Sequence, residues 1–240
     1  MKYTWPCRLV FVGGSGSGKT TLVRQMILRG DFNAKKKEIQ ILVASPVTAS
    51  LQQPIWGDLK SRGYDISAVS LKGQPLTSAR PAGQPKPGKK FLLVIDDIDH
   101  INEIKGGRAW LLDLFGVESH HSNMSVVLIA HHLRIGCPAI MASATAVILC
   151  SLPSTQVKDI CKMLSMTSEE ETTIVKALED PEGAPEDSKG PCQLFNHVVV
   201  WRTPLFEVVD GASKKITSLY KMPRKLTPET YKLPTLTPIN

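Results

Sequence analysis

The sequence lacks a cysteine pattern that could form a disulfide framework or bind zinc. Its cysteines are odd in number, scattered and without C-x-x-C spacing: Cys7, Cys137, Cys150, Cys161 and Cys192. A membrane-spanning helix requires an apolar run of about 18 residues, and the sequence has no such run. Residues 1–7 also do not contain the apolar core of a signal peptide. We therefore expect a soluble, intracellular protein in a reducing compartment.

Charge of one sign does not dominate the chain, although the balance is basic. The 29 Lys and Arg residues against 22 Asp and Glu residues give a net charge of +7, which favours acidic partners such as nucleic acid without requiring them. The length of 240 residues suits one α/β domain with a small appendage. The chain shows no internal repeats, and it has no N-K-x-D motif for reading guanine, so a GTPase is not favoured.

What the sequence does contain is a phosphate-binding loop near its start. Residues 13–20 fit the pattern G-x-x-x-x-G-K-[ST] at every fixed position. A strand (Arg8–Val12) is predicted before the loop and a helix (Thr21–Arg29) after it, which is the order that a nucleotide site needs. The glycines let backbone N–H groups surround the phosphates, and the helix directs its positive end at them. The predicted nucleotide contacts are Gly13, Gly14, Ser15, Gly16, Ser17, Gly18, Lys19, Thr20 and Thr21.

A second motif lies at the end of the apolar run Phe91–Ile95, which predicts a strand that is buried on both faces. Two carboxylates, Asp96 and Asp97, follow it directly. In a P-loop protein this is the Walker B position. We expect Asp96 to hold Mg²⁺ together with Thr20 or through water, and Asp97 to orient or deprotonate the attacking water. The expected cofactors are therefore ATP and Mg²⁺, with Lys19 reaching the terminal phosphates.

The predicted strand Met124–Ala130 ends in His131. A polar residue at the end of the strand beside Walker B can sense the γ-phosphate or position water, and His131 is the candidate for that role. Its neighbour His132 does not suggest a metal pair, because adjacent residues of a strand point to opposite faces.

These motifs predict an α/β P-loop NTPase fold of the RecA-like (ASCE) type, with three layers, a mostly parallel central sheet and a small C-terminal β appendage. The predicted ATPase domain comprises residues 1–212 and includes mobile loops at 73–90 and 179–191. Residues 213–240 are predicted to be a basic, Pro/Thr-rich extended tail. The other predicted strands are Gln40–Ala44, Ile66–Leu71, Ala144–Leu152, His197–Trp201 and Leu205–Val209, and the other predicted helices are Ala49–Arg62, Ala109–Val117, Thr155–Leu164 and Glu169–Leu178.

Two basic segments have open interpretations. Lys35–Lys37 form a polar link before a strand, and the loop 73–90 carries Arg80, Lys86, Lys89 and Lys90. Each segment can be an ordinary solvated loop. Each can also contact a phosphate backbone or, for the long loop, a neighbouring subunit.

Four stretches together resemble the FtsK/HerA superfamily, and within it the virus-type genome-packaging ATPases of poxviruses, polinton-like elements and membrane-containing phages. They are VFVGGSGSGKT, FLLVIDD, VVLIAHHL and AVILCSLPSTQVKDICKML, and the resemblance covers most of residues 8–209. One departure is His131, which stands where the family usually has Gln. The resemblance implies an ATPase that pushes double-stranded DNA into a preformed capsid.

The same resemblance implies partners and a location. The partners are double-stranded DNA bound without regard to sequence, further copies of the chain in a pentameric or hexameric ring, and a capsid vertex or capsid protein. It also implies a location in an infected host cell, nuclear or cytoplasmic, and leaves the virion open as a further location. In such rings an arginine of one subunit reaches the γ-phosphate of the next, and Arg108 and Arg134 are the candidates here.

Two other functions stay open at the level of sequence. One is a small P-loop kinase for a nucleotide or metabolite, although the only candidate lid, residues 73–90, carries a single arginine. The other is a nucleotide-controlled binding module whose hydrolysis only times assembly.

Overall fold

The computed structural model describes residues 3–73, 76, 86–132, 138–179, 197–201, 205–209 and 216–221, with the backbone alone for 120, 179, 205–209 and 216–221. Within these residues the strands are β1 (Arg8–Val12), β2 (Ile39–Ser45), β3 (Asp65–Ser70), β4 (Lys90–Ile95), β5 (Met124–Ala130), β6 (Ala146–Cys150), β7 (His197–Trp201), β8 (Leu205–Val209) and β9 (Ile216–Lys221). The helices are α1 (Lys19–Arg29), α2 (Thr48–Leu51), α3 (Pro54–Ser61), α4 (Gly107–Asp113), α5 (Ser119–His121), α6 (Pro138–Ser143), α7 (Ser154–Met163) and α8 (Ser168–Glu179).

The strands form one sheet in the order β3-β2-β4-β5-β1-β6-β7-β8-β9. Strands β1 to β6 run parallel, and β7, β8 and β9 extend the sheet as antiparallel neighbours. The mostly parallel sheet with a C-terminal β appendage that the sequence predicts is confirmed. Because β4, β5 and β1 are neighbours, the residues that follow them meet at one edge of the sheet, where ligands of open α/β sheets bind.

Both faces of the sheet are covered, which makes three layers. Along β4, Phe91, Leu93 and Ile95 belong to one hydrophobic core, whereas Leu92 and Val94 belong to the other. The first core includes residues of α4 and α7, and the second includes residues of α1 and α3. This explains why the parallel strands have continuous apolar runs rather than an alternating pattern.

The predicted helix Ala49–Arg62 is wrong as a single element, because the structure has two short helices there, α2 and α3. Pro54 occupies the first turn of α3, and Gln53 before it is extended, with φ −58° and ψ 135°. Proline disfavours helical geometry in the residue that precedes it, so the chain cannot continue α2 into α3. The helix predicted at Ala109–Val117 also differs, since α4 ends at Asp113 and a π-helical turn, Leu114–Glu118, follows it.

Four elements were not predicted. A 3₁₀ segment, Ile98–Glu103, follows the Asp96–Asp97 pair, the short α5 precedes β5, and α6 precedes β6. Strand β9 pairs with β8 inside the segment that was assigned to the extended tail, so the predicted boundary at residue 213 does not mark the end of the sheet. The sequence ITSLYK of β9 contains β-branched and aromatic residues, which favour a strand.

The predicted loops and tail lie largely outside the described residues. Of the loop 73–90, the structure describes residues 73, 76 and 86–90, and Leu76 packs partly buried against the core. The tail after residue 221 is not described. Within the described parts of the chain, no helix has the length and apolar character that a membrane crossing requires.

Candidate active site

The phosphate loop is anchored between the strands that flank β1. Gly13 N donates to Ala130 O at the end of β5, and Gly14 N donates to Ser151 O just after β6, both at 3.3 Å. A side chain at Gly13 would overlap the backbone carbonyl of Cys150 and the hydroxyl of Ser17. Glycine at position 13 is therefore required by the close approach of two backbones.

The loop turns into α1 through left-handed backbone. Gly16 and Gly18 have φ values of 75° and 80°, a region that other residues rarely adopt. Leu22 N donates to Gly18 O at 2.8 Å, which begins the helical hydrogen-bond series. The earlier N–H groups of the first turn, at Lys19, Thr20 and Thr21, lie at the positive end of the helix and suit an anion.

Lys19 is folded back over the loop and is almost completely buried. Its Nζ donates to Gly13 O and Gly14 O, both at 2.7 Å, and lies 3.4 Å from Ser17 Oγ. Burial lowers the pKa of this ammonium, and the nearby carboxylates of Asp96 and Asp97 oppose that effect. The loop carbonyls thus hold the lysine beside the place where the phosphates of a nucleotide fit.

Asp96 is buried, with 2% of its surface exposed. Its Oδ1 accepts a hydrogen bond from Asp97 N at 3.0 Å, whereas its Oδ2 has no hydrogen-bond partner. Burial, together with the charge of Asp97, raises the pKa of Asp96 to about 7. Mg²⁺ prefers hard oxygen ligands. Asp96 Oδ2, which is buried without a partner, and the hydroxyl of Thr20 in the first turn of α1 are oxygens of this kind, so these two residues fit Mg²⁺.

Asp97 has a left-handed backbone, with φ 55° and ψ 47°. Both of its carboxylate oxygens are engaged. His131 Nε2 lies 2.8 Å from Oδ1, and Ser50 Oγ donates to Oδ2. Ser50 is buried on α2, which follows β2, the strand next to β4. Ser50 after β2 and His131 after β5 therefore hold Asp97 in position from the two strands that flank β4.

His131 lies between the lysine of the phosphate loop and Asp97. Its Nδ1 is 3.3 Å from Lys19 Nζ. An ammonium group can only donate, so Nδ1 accepts, and Nε2 carries the hydrogen that is donated to Asp97 Oδ1. The two contacts therefore determine a neutral ring with one tautomer.

Asp99 holds this histidine in position from the 3₁₀ segment. Its Oδ2 accepts from His131 N at 2.6 Å and its Oδ1 accepts from His132 N at 2.9 Å. His132 Nδ1 in turn lies 3.1 Å from Gln156 Nε2 on α7. One carboxylate thus ties the segment after β4 to the end of β5.

The structure brings together Lys19, Asp96, Asp97 and His131, as their positions after neighbouring strands predict. Arg108 is exposed at the start of α4, and Arg134 lies outside the described residues. Sequence reasoning missed Ser50 and Asp99. The repeated acids of the IDDID stretch were a signal for Asp99, whereas nothing in the sequence around Ser50 distinguishes it from an ordinary helix residue.

Comparisons with known proteins identify a family and a shared fold. A family model described as poxvirus A32 protein matches residues 3–182. The genome packaging NTPase B204 of Sulfolobus turreted icosahedral virus 2, in complex with AMPPCP, is 14% identical with a TM-score of 0.52, over 90% of this chain and 96% of that chain. This likeness shows a shared fold.

Two further solved structures have lower scores. B204, the DNA-packaging ATPase of Sulfolobus turreted icosahedral virus, is 13% identical with a TM-score of 0.48, over 90% of this chain and 97% of that chain. EssC (ATPases 2 and 3) of Geobacillus thermodenitrificans is 11% identical with a TM-score of 0.48, over 68% of this chain and 35% of that chain. No curated protein matches the chain.

Proposed function

The chain belongs to the poxvirus A32 protein family, and from that premise we propose that it hydrolyses ATP to drive double-stranded DNA into a preformed viral capsid. The family match confirms the resemblance to virus-type packaging ATPases that the sequence predicts, and the fold is that of a P-loop NTPase. The observation that carries the proposal is the continuous contact from Lys19 through His131 to Asp97. It joins a phosphate-binding group to a group that can activate water.

The proposed hydrolysis divides its tasks among these residues. Water attacks the γ-phosphorus, the bond to the oxygen that bridges the β- and γ-phosphates breaks, and the proton of the water passes to Asp97. Lys19 and the N–H groups of the loop bind the phosphate oxygens, and His131 orients Asp97. Thr20 and Asp96 would hold Mg²⁺, which when bound neutralises charge on the β- and γ-phosphates.

Transport of DNA is proposed from a similar structure and the charge. B204 of Sulfolobus turreted icosahedral virus 2 is described as a genome packaging NTPase. The net charge of +7 suits a polyanionic substrate. We propose a ring of subunits, a capsid vertex or capsid protein as the docking partner, and an arginine, Arg108 or Arg134, that completes the site of the adjacent subunit.

The decisive experiment measures phosphate release from ATP with and without duplex DNA, together with displacement of a third strand from a DNA triplex. We expect duplex DNA to stimulate phosphate release and ATP to drive displacement, and we expect both to be lost in Asp97→Asn. A kinase would instead transfer the γ-phosphate of labelled ATP to a small acceptor. Slow hydrolysis that DNA leaves unchanged, without strand displacement, would contradict the translocase.

A further inference from the structure

Two basic segments that are distant in sequence meet at the amino-terminal edge of the sheet. Strands β2 and β4 are parallel neighbours, with Ile39 opposite Lys90. Lys90 N donates to Glu38 O at 2.7 Å, and Lys86 N donates to the side chain of Gln40 at 2.8 Å. The lysines just before β2 therefore share one surface with the lysines just before and at the start of β4. We call it the lysine edge, and it consists of Lys35, Lys36, Lys37, Lys86, Lys89 and Lys90.

The positive charge of the lysine edge exceeds the negative charge beside it. Lys86 and Lys89 both contact the single carboxylate of Asp65, at 2.9 Å and 2.8 Å, and these two ammonium groups lower the pKa of Asp65. Lys35, Lys36 and Lys37 are exposed, and the carboxylate next to them, Glu38, accepts from the backbone of Lys35. The carboxylates of Asp65 and Glu38 thus lie beside six lysines.

Two of these ammonium groups are held in place by groups that carry no charge. Lys36 Nζ lies 5.9 Å from the centre of the Tyr64 ring, and Lys90 Nζ lies 5.5 Å from the centre of the Trp5 ring. Lys90 Nζ also donates to Asn33 O. Aromatic rings and a carbonyl orient an ammonium group without neutralising it. The charges of Lys36 and Lys90 therefore have defined positions, unlike those of lysine side chains that move freely in solvent.

We propose that the lysine edge binds the phosphate backbone of double-stranded DNA, an inference that rests on the proposed translocase function. Ammonium groups act on phosphate as point charges and read no bases, which suits a substrate that is moved regardless of sequence. An acidic protein fits this surface less well, because protein interfaces centre on buried aromatic or apolar anchors. Among the described side chains the one large exposed hydrophobic residue is Val117, on the π-helical turn.

The position of the lysine edge separates DNA binding from hydrolysis. Lys90 begins β4, whereas Asp96 and Asp97 follow the end of that strand. The strand has 6 residues, which span about 20 Å at the usual rise. Changes at the lysine edge therefore alter DNA affinity without touching the residues that bind nucleotide.

The test compares two triple variants of the full chain that remove the same charge. One is Lys35→Gln/Lys37→Gln/Lys86→Gln, which leaves Lys36 and Lys90 on their rings and Lys89 on Asp65. The control is Lys158→Gln/Lys162→Gln/Lys176→Gln, at exposed positions of α7 and α8. Duplex affinity is measured by fluorescence anisotropy over a range of salt concentrations, and ATP hydrolysis is measured without DNA.

We expect the lysine-edge variant to lose duplex affinity at low salt and to lower the salt slope of log K by about 1 per lysine removed. The control variant should keep the duplex affinity and the salt slope of the wild type. The lysine-edge variant and the control should both hydrolyse ATP at the wild-type rate when DNA is absent. A Lys35→Arg/Lys37→Arg/Lys86→Arg variant, which keeps the charge, should keep duplex affinity. Equal affinity in the lysine-edge variant and the wild type overturns this inference and leaves the translocase intact. Loss of capsid association with unchanged duplex affinity also overturns it, in favour of a protein partner. A wild-type chain that binds no duplex overturns both proposals.

Discussion

The imidazole of His131 connects Lys19 to Asp97, with 3.3 Å between His131 Nδ1 and Lys19 Nζ and 2.8 Å between His131 Nε2 and Asp97 Oδ1. When Lys19 turns to the phosphates of a nucleotide, Nδ1 loses the donor that it accepts from. His131 is thus placed to transmit the arrival of a phosphate to Asp97. The predictions that follow treat these three residues as one unit with separable tasks.

Lys19 and Asp97 should differ in what they contribute. Lys19→Ala should weaken nucleotide binding, because it removes the cation that the loop holds for the phosphates. Asp97→Asn should bind nucleotide normally but lower turnover by roughly 10² to 10⁴, the usual contribution of a general base. Calorimetry of ATP-analogue binding and a phosphate-release assay measure the two effects. A nearly normal rate in Asp97→Asn would exclude Asp97 as the base and implicate His131.

His131→Gln should preserve activity better than His131→Ala. A glutamine amide offers an oxygen that can accept from Lys19 and an N–H that can donate to Asp97, so it can replace both contacts of the neutral ring. Alanine removes both. We expect kcat to fall modestly in His131→Gln and by at least about tenfold in His131→Ala, with ATP affinity measured in parallel. Equal losses in the two variants would mean that the ring does more than bridge these groups.

Ser50 is predicted to position Asp97 rather than to bind nucleotide. Ser50→Ala removes the hydrogen bond to Asp97 Oδ2, so kcat should fall by about tenfold, in keeping with the loss of one hydrogen bond to a charged group, while KM stays constant. Ser61→Ala is the matched control, since Ser61 is an exposed serine of α3 that bonds to a backbone carbonyl. A change in KM alone would contradict the positioning role.

Sequence periodicity and motifs predicted the sheet well, because buried parallel strands have continuous apolar runs. β1 and β5 match their predicted bounds. The phosphate loop, Asp96–Asp97 and His131 each follow one of the strands β1, β4 and β5, so the site lies at the carboxyl-terminal edge of the sheet. Tertiary contacts were not predictable in the same way. The bond from Ser50 to Asp97 joins residues 47 positions apart and depends on β2 being next to β4.

The two lysine segments illustrate the same limit. Each is recognisable in the sequence as a basic stretch, and each can be interpreted as an ordinary solvated loop. Only the parallel pairing of β2 with β4 places Lys35–Lys37 beside Lys86–Lys90. The break between α2 and α3, in contrast, was available from Pro54 alone, and the prediction of one helix gave this proline too little weight.

Asp96 should make stability depend on pH when Mg²⁺ is absent. Burial raises its pKa from 3.8 to about 7, so the folded protein keeps a proton that the unfolded chain releases between about pH 4 and pH 7. The free energy of unfolding should therefore fall as pH rises through this window, by about 1.4 kcal/mol per pH unit at most. Asp96→Asn should remove this fall.

Urea denaturation of the wild type and Asp96→Asn, both in a chelator, measures the difference between their pH profiles. Asp113→Asn serves as the control, because it removes an exposed carboxylate of α4. Its profile should run parallel to that of the wild type. Parallel profiles for the wild type and Asp96→Asn would show that the carboxylate of Asp96 stays charged in the fold.

The last prediction is that an arginine completes the active site between subunits. The phosphate loop contains no arginine, and the exposed position of Arg108 at the start of α4 suits a residue that reaches a neighbour. Hydrolysis per subunit should then rise with protein concentration, because assembly creates complete sites. Arg108→Ala and Arg134→Ala, each alone, identify which arginine is needed.

Mixing experiments then decide whether that arginine acts on the adjacent subunit. A Lys19→Ala subunit has an intact arginine, and an Arg108→Ala or Arg134→Ala subunit has an intact loop. Hybrid rings contain some interfaces that combine the intact parts, so partial activity should return in the mixture that contains the true arginine variant. Asp97→Asn mixed with Lys19→Ala is the control, since both changes disable the subunit that binds the nucleotide, and no interface regains a complete site. A verified monomer that hydrolyses ATP as fast as the assembled form, with no recovery in either arginine mixture, would place the arginine in the same subunit.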